Sequence, residues 1–462
     1  METCRYDGAL HGGTMNEAQD RRDGAQTRNR STGNSSQGGE GLDRRRLLPI
    51  ILIIFTNILG AGVILPILPL YAEGQFGGTI LQITLLSSCF FAAQFLAAPW
   101  LGRLSDRFGR RPVLIVSQMG TVLAFILFIF AGPLGKWIDG WGLALPMSGG
   151  MIMLYVARTL DGITGGNITT AQAYVSDVTS QEDRAQGLGL LQAGFGAGFI
   201  VGPAFGGLLA NLGPVAPFIG ATIITTGTLL LTILILDESL PPEARENGEG
   251  GSEPRESIPL GAVLAQRPLL LILLIAFFGS LAFSALPATF ALFADRVLFD
   301  DLANPERAQF YIGLMLTFNG LMQVITQLAL LKPLVSRLGE RKLLILGQVA
   351  LVVAALGVAT VADAIVVTLL FAPFAFGRGV SEPSLQSLTT RFADERTRGQ
   401  LLGLYQSARS LALIFGPVWA GYVFEAISPQ SVFFVTGGLI LVALLIALLL
   451  LREELPAGRR PA

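Results

Sequence analysis

Histidine and cysteine are almost missing from this chain of 462 residues. There is one histidine, His11, and there are two cysteines, Cys4 and Cys89. So few residues of these types exclude a His/Cys metal cluster and a histidine-centred hydrolase site. Cys4 lies in a polar stretch and Cys89 in an apolar one, so we expect no disulfide between them. The sequence also lacks a G-x-x-x-x-G-K-[ST] phosphate loop, which argues against direct coupling to ATP. We therefore expect no enzyme, no metal and no cofactor.

Charged residues are scarce as well, and this scarcity indicates a membrane protein. They make up 14% of the chain, whereas a soluble globular domain has about 25%. Apolar residues make up 52%, the mean hydropathy is +0.59 and the net charge is −1. A chain without a basic excess is not expected to bind nucleic acid.

Twelve apolar runs are each long enough to span a bilayer, which takes about 20 residues. The sequence therefore predicts an all-α polytopic membrane protein. The predicted spans are 47–71, 80–101, 113–131, 147–175, 187–212, 215–236, 269–293, 311–331, 343–362, 365–388, 401–426 and 432–451.

The arginines predict the orientation, because short basic loops stay in the cytoplasm. Alternate loops carry most of the arginines, and three arginines precede the first span. We expect a disordered cytoplasmic tail at 1–46, halves at 47–236 and 268–454, a Gly/Pro-rich cytoplasmic linker at 237–267, and a second tail at 455–462. Both termini would then be cytoplasmic in a cell membrane protein.

The loop between spans two and three contains G-x-L-x-D-R-x-G-R-R-P. Its principal residues are Gly102, Asp106, Arg107, Gly109, Arg110 and Arg111. A topology-setting loop with solvated charges is the plainest interpretation. The arrangement closely resembles the loop motif of major facilitator superfamily transporters. That resemblance implies a charge latch that changes as the transporter switches state, with a glycine that lets helices approach closely.

The two halves of the chain also resemble each other. Arg184 and Gln186 recur as Arg398 and Gln400, and Gly202–Pro203 recurs as Gly416–Pro417, always with the same separation along the chain. The loop motif has a weaker echo between spans eight and nine, where Ser336 replaces Asp106. Two pseudo-symmetric six-helix halves around a midplane site are expected of such a transporter.

Span five is rich in glycine and contains one proline. Gly194, Gly198 and Gly202 are four residues apart and share a face that allows close helix contact. The full set is Gly194, Gly198, Gly202, Pro203 and Gly207. Ordinary small-residue packing would explain the pattern. The pattern G-x-x-x-G-P-x-x-G-G also resembles the helix-five motif of the family's antiporters.

Spans four and ten contain charges, which are costly in a membrane and suggest function. Arg158 and Asp161 are three residues apart, and Arg378 and Glu382 are four apart, so each pair can share a helix face. Arg158 resembles the family's helix-four arginine, which is implicated in proton transfer. A structural ion pair remains the alternative. We expect Asp161, in preference to Glu382, to carry the proton.

Further polar residues within the spans are candidates for a central cavity. They are Asn57, Gln94, Asn167, Gln192, Gln323 and Arg409. Any of them could instead make an interhelical hydrogen bond, and for the glutamines we favour that alternative.

At subfamily level the chain is similar to twelve-helix drug–proton antiporters, and especially to the tetracycline-exporter-like group. Members of that group carry an aspartate in helix one, where this chain has Asn57, and an acidic position in helix nine has no counterpart. We therefore do not expect tetracycline itself as the substrate. The leading hypothesis is proton-coupled export of small apolar or amphipathic compounds by a monomer. The expected partners are the substrate, protons and the bilayer. Nutrient symport or uniport, and a non-transporting sensor, are the alternatives.

Overall fold

The computed structural model describes residues 44–142, 146–180, 183–240, 261, 265–300, 305–392 and 398–453. Residues 1–43 of the predicted N-terminal tail, most of the predicted linker and the predicted C-terminal tail lie outside these ranges. The described residues are almost entirely helical and contain no strand. The all-α polytopic fold is therefore confirmed.

In the part of the N-terminal half that the structure describes there are nine α-helices and one short 3₁₀ turn, which lies at Gly165–Asn167 between α6 and α7. The helices are α1 (Arg44–Ile64), α2 (Ile67–Phe76), α3 (Ile80–Phe108), α4 (Arg110–Ile129), α5 (Ala131–Asp139), α6 (Gly149–Thr164), α7 (Ile168–Val178), α8 (Arg184–Ala210) and α9 (Ala216–Ile235).

The described residues of the C-terminal half form seven α-helices and two π-helical turns, at Ala294–Leu298 and Thr326–Leu330. The helices are α10 (Arg267–Phe283), α11 (Ala285–Phe293), α12 (Pro305–Ile325), α13 (Leu331–Thr360), α14 (Ala364–Thr390), α15 (Arg398–Ala426) and α16 (Ser431–Leu450).

Helix covers each of the twelve predicted spans, although two of these spans are not apolar enough to be recognised as membrane-crossing by length and hydropathy. Nine helical stretches among the described residues are long and apolar enough to cross a membrane, and one of them, Arg307–Thr360, contains two predicted spans. The other two predicted spans are α6–α7, which the 3₁₀ turn interrupts, and α15. Both carry charges within the span, which lowers their hydropathy.

The glycine face of α8 packs directly on α1. A Cβ added to Gly198 would lie 2.8 Å from Phe55 O, and one added to Gly202 would lie 2.7 Å from Gly62 Cα. Gly194 meets Ile51 and Gly206 meets Val63 in the same way. Gly207 faces α12 instead, at Gln309 and Phe310. Close backbone contact was the expectation for this face, and the structure has it.

The longest contacts between the halves are those of α3 along α15 and of α8 along α12. A buried apolar cluster also combines both halves, with Tyr71 and Phe218 from the first and Phe290 and Phe293 from the second. Within the first half, α3 also packs against α6, which carries Arg158 and Asp161.

Candidate transport and gating sites

The predicted pair in span four forms within α6. Arg158 Nη1 lies 3.1 Å from Asp161 Oδ2, and both side chains are buried. The Arg158 guanidinium carbon also lies 4.3 Å from the centre of the Phe90 ring on α3, within cation–π range. Arg158 Nε is buried with no hydrogen-bond partner among the described residues. Arg158 therefore makes one short contact with a carboxylate, and its Nε–H has no acceptor among the described residues.

Glycines bring α6 and the turn after it against α3. A Cβ at Gly162 would lie 2.4 Å from Phe90 O, and one at Gly166 would lie 2.9 Å from Leu101 Cδ1. Gln94 Nε2 on α3 donates to Gly165 O at 2.9 Å. The Arg158–Asp161 pair therefore lies beside a close contact between α6 and α3.

The second charged cluster has one carboxylate between two arginines. Glu382 Oε1 forms an ion pair with Arg409 Nη1 at 2.8 Å and accepts hydrogen bonds from Tyr405 OH at 2.9 Å and Gln386 Nε2 at 3.1 Å. Glu382 Oε2 lies 3.6 Å from Arg378 Nη1, which is beyond hydrogen-bond range. Arg409 Nε also donates to Ser280 Oγ at 3.4 Å. The predicted partners Arg378 and Glu382 are thus close, but the stronger bond goes to Arg409.

A pocket opens beside this cluster, within the C-terminal half. It is small and partly open to its surroundings. Charged and polar side chains line one side, and aromatic and aliphatic ones line the other. The Arg378 guanidinium lies 3.9 Å from the centre of the Phe283 ring at its edge.

In the loop between α3 and α4, Arg110 is the central residue. Its buried guanidinium binds Asp106, lies 3.0 Å from Asp177 Oδ2 on α7, and donates to Ser105 Oγ at 2.8 Å. The predicted latch residues Asp106 and Arg110 are therefore joined to each other. Asp177 adds a connection to α7, which follows the Arg158–Asp161 pair.

Glu238, just beyond α9, caps the start of α4. Its Oε1 accepts from Arg110 N at 2.8 Å and its Oε2 from Arg111 N at 3.2 Å. A carboxylate here satisfies amides that have no partner within the helix and complements the helix dipole. Gly109 has φ +103°, and a Cβ there would lie 2.4 Å from Glu238 Oε2. This cap requires glycine at that position.

Other residues of the predicted latch have different positions. Arg111 Nη2 donates to Ile233 O at 2.6 Å, which ties α4 to α9. Arg107 is exposed and lies over the Phe108 ring. The close helix approach expected at a glycine of the motif is absent at Gly102 in this conformation, because a Cβ there would meet no described atom within 4 Å.

The predicted cavity residues fall into separate groups. Gln94 makes the interhelical hydrogen bond that was its alternative, and Arg409 joins the Glu382 cluster. Asn57 Nδ2 is buried without a hydrogen-bond partner among the described residues. Asn167 is buried in the 3₁₀ turn, and Gln323 is half-buried on α12. The side chain of Gln192 lies outside the described residues.

The second half has a counterpart of the latch. Gly339, with φ +73°, kinks α13, and the next residue, Glu340, lies 2.7 Å from Arg391 Nη2. Ser387 Oγ also donates to Glu340. Arg341 Nη1 donates to Leu451 O at 3.2 Å, as Arg111 does to Ile233.

The opposite face carries contacts between the halves. Arg296 forms an ion pair with Glu73, and Glu425 Oε2 accepts from Leu81 N at the start of α3 at 3.0 Å. At the arginine-rich face, defined by the loop at 102–112 and by residues 337–342, the ion pairs found in the described residues join helices of one half only.

Sequence reasoning missed several of these residues because their partners are distant in the chain. They are Asp177, Glu238, Glu340, Arg391, Tyr405 and Phe283. Glu340 had a signal, because it follows the glycine of the motif echo. A second signal was available for Asp177 and Arg391. They are separated along the chain by the same number of residues as Arg184 and Arg398, so they occupy equivalent places in the repeat.

The family profile described as Major Facilitator Superfamily matches residues 50–304 and 304–462. The chain belongs to this superfamily. This confirms the resemblance seen in the loop motif. The superfamily consists of transporters, which agrees with the helix count and with the charged residues inside the spans.

Two bacterial relatives match most of the chain. Tetracycline resistance protein, class C, from Escherichia coli is 31% identical over 384 residues, which cover 82% of this chain and 90% of the relative. Multidrug resistance protein 2 from Bacillus subtilis is 27% identical over 393 residues, covering 84% and 91%. These matches agree with the predicted subfamily.

Solved structures of low identity share the fold. The human organic anion transporter MFSD10 (TETRAN) has a TM-score of 0.62 at 23% identity, over 88% of this chain and 100% of that one. A bacterial homologue of the human lysosomal transporter Spinster, in an inward-facing and occupied conformation, has a TM-score of 0.67 at 16% identity, over 90% and 98%.

Proposed function

We propose that the protein is a proton-coupled antiporter that exports small apolar or amphipathic compounds by alternating access. The observation that carries the proposal is the buried Arg158–Asp161 pair in contact with α3. A buried ion pair is a weak source of stability, so its place at a junction of moving helices favours a role in coupling. Two relatives are named for resistance to tetracycline and to several drugs.

Asp161 is the better proton carrier of the two buried carboxylates. It contacts Arg158 and lies beside Thr121. Glu382 instead has two arginines, a tyrosine hydroxyl and an amide around it. Protonation of Asp161 disturbs fewer bonds, so a proton can enter and leave within a transport cycle.

One helix links the proton site to both faces of the molecule. The N-terminal turn of α3 is bound by Glu425 from the other half, its middle carries Phe90 beneath Arg158, and its last turn carries Asp106. With 29 residues it is about 43 Å long. Protonation of Asp161 would release Arg158, and the resulting shift of α3 would act on both ends.

The arginine-rich face lies in the cytoplasm, as do both termini, and the protein works as a monomer in the cell membrane. Short basic loops support this orientation. With that orientation the Arg296–Glu73 ion pair and the hydrogen bond from Leu81 N to Glu425 lie on the external side, where they favour a conformation open to the cytoplasm.

The test is uphill transport in proteoliposomes with an imposed pH gradient. The probes share one ring system: naphthalene-1-sulfonate, naphthalene-1-sulfonamide and trimethyl(naphthalen-1-ylmethyl)ammonium. We expect at least one to accumulate on the proton-rich side when the gradient is imposed, and to leave when it is collapsed. Protein-free liposomes and the Asp161→Asn variant are the controls.

Transport that equilibrates each probe regardless of the gradient would indicate a uniporter and overturn proton coupling. Accumulation on the proton-poor side would indicate symport. The orientation has its own check: a cysteine placed in the 237–259 linker should resist an impermeant maleimide in intact cells, and labelling from outside would contradict the proposed topology.

A further inference from the structure

The charges inside the spans do not cancel. Away from helix ends, the described parts of the spans contain Arg158, Asp161, Arg378, Glu382 and Arg409, which sum to one positive charge. The pair on α6 is neutral by itself. The excess therefore belongs to the cluster at Glu382, where two arginines share one carboxylate.

Arg378 is the arginine with the weaker carboxylate contact. Arg409 lies 2.8 Å from Glu382 Oε1, whereas Arg378 is 3.6 Å from Oε2 and lies against the Phe283 ring. An incompletely paired cation is costly inside a membrane span. Its guanidinium lines the pocket, and the fork of N–H donors fits a planar or tetrahedral oxyanion.

The remaining walls of the pocket suit a flat apolar body. Phe283 and Phe374 both line it, with their rings nearly parallel at 24° and their centres 6.3 Å apart. Gln348 lines the pocket as well, and its Oε1 is buried with no hydrogen-bond partner among the described residues. This oxygen can only accept, so it would bind a hydrogen-bond donor elsewhere on the ligand and not its anionic group.

We propose that this pocket binds the anionic group of an amphipathic organic ligand on Arg378, with the ligand's apolar part between the aromatic side chains. A carboxylate, sulfonate or phosphate ester would serve. The inference deepens the proposed function by naming a substrate class, and it rests on that function for the step of export. Binding itself does not depend on proton coupling.

The test is calorimetric titration of the purified full-length protein with the three naphthalene probes. All three present the same ring, and their charges do not change near neutral pH. We expect the sulfonate to bind at least about tenfold more tightly than the sulfonamide, and the ammonium probe to bind least. Equal affinities, or a preference for the ammonium probe, would overturn the proposal.

Two variants should shift the affinity in opposite directions. Arg378→Gln should weaken sulfonate binding about tenfold or more. Glu382→Gln should strengthen it, because both arginines lose their competing carboxylate. Misfolding cannot increase the affinity for the sulfonate. The Glu382→Gln variant therefore still tests the proposal if Arg378→Gln is unstable. Arg267→Gln removes a charge from an exposed pair with Glu453 and should leave the affinity unchanged.

Chloride distinguishes an inorganic anion from an organic one. If chloride at physiological concentration abolishes sulfonate binding, the pocket is an inorganic anion site and the proposal fails. If the sulfonate binds selectively but no probe moves uphill, the proposed function fails and this inference stands. If only the ammonium probe moves uphill, the proposed function stands and this inference fails.

Discussion

The two halves of the molecule build the same contact with opposite charges. In the first half, Arg110 follows a glycine of positive φ and binds Asp177 on the helix of span four. In the second, Glu340 follows such a glycine and binds Arg391 just after α14, which forms span ten. Glu340 occupies the place of Arg110 in the echoed loop motif, and Arg391 occupies the place of Asp177 in the repeat. The repeat has kept the turn and the pairing while exchanging the partners.

The interiors of the halves differ in a second way. The first half has a neutral pair with few other contacts, and the second has an arginine excess beside a pocket. The comparison shows that two halves of similar architecture can carry different charged sites. In the proposed function the first half binds the proton and the second binds the ligand.

The largest expected effect is at Asp161. One proton moving through about 100 mV supplies roughly 2.3 kcal/mol, enough for roughly a fiftyfold gradient of a neutral substrate. Asp161→Asn should abolish accumulation of a transported probe in proteoliposomes while its exchange continues. Glu382→Gln should leave part of the accumulation. If Asp161→Asn still accumulates probe when a pH difference is imposed, the halves do not divide the work as proposed.

A charge swap tests the inverted pair. Glu340→Arg or Arg391→Glu alone should destabilise the protein by about 1–3 kcal/mol, because each leaves a partly buried charge unpaired. The double variant should regain most of the thermal stability and transport. The corresponding swap of Arg110 and Asp177 should not, because Arg110 also binds Asp106 and Ser105. Equal rescue in both halves would show that the additional contacts are dispensable.

The two turn glycines offer a smaller contrast. Both have a φ and ψ that only glycine adopts readily, so alanine should cost about 1–3 kcal/mol at either. Gly109→Ala should lower the melting temperature more than Gly339→Ala. A Cβ at Gly109 would strike Glu238, whereas one at Gly339 meets no atom within 4 Å. The reverse order would mean that Glu238 does not cap α4.

The smallest effect should come from the pair that joins the halves. Glu73 and Arg296 are partly exposed, and such pairs contribute about 0–1 kcal/mol. Glu73→Gln should therefore shift the conformational equilibrium by about fivefold at most, and added salt should reduce the difference. Spin-label distances between the external ends of the halves would measure this shift. A complete conversion would show that other contacts there are weaker than the structure indicates.

Most of the fold was predictable, because bilayer length and hydropathy identify ten of the twelve predicted spans in the described residues. The interruptions of the α-helix within individual spans were not predictable. The 3₁₀ turn at Gly165–Asn167 follows from packing of its glycines on α3, which no local pattern records. The charged pairs on α6 and α14 were predictable from spacings of three and four residues, since these place side chains on one helix face.

The partners of those residues were not predictable in the same way. Arg110 bonds to Asp177 and Glu238 across 67 and 128 residues, and Arg409 reaches Glu382 from another helix. Only the folded chain brings such groups together. The expectation for Gly102 failed for a related reason, since whether a neighbour lies close to a motif glycine depends on the conformation of the transporter.

The close contact between α1 and α8 limits the substitutions that the glycines of α8 can accept. Where Gly198, Gly202 and Gly206 meet α1, even one methyl group collides with backbone, and at Gly194 it would lie only 3.1 Å from Ile51 O. Gly189, earlier on the same helix, has no atom within 4 Å of an added Cβ. After random mutagenesis and selection for transport, the positions four residues apart that meet α1 should therefore remain glycine, whereas Gly189 should accept other residues.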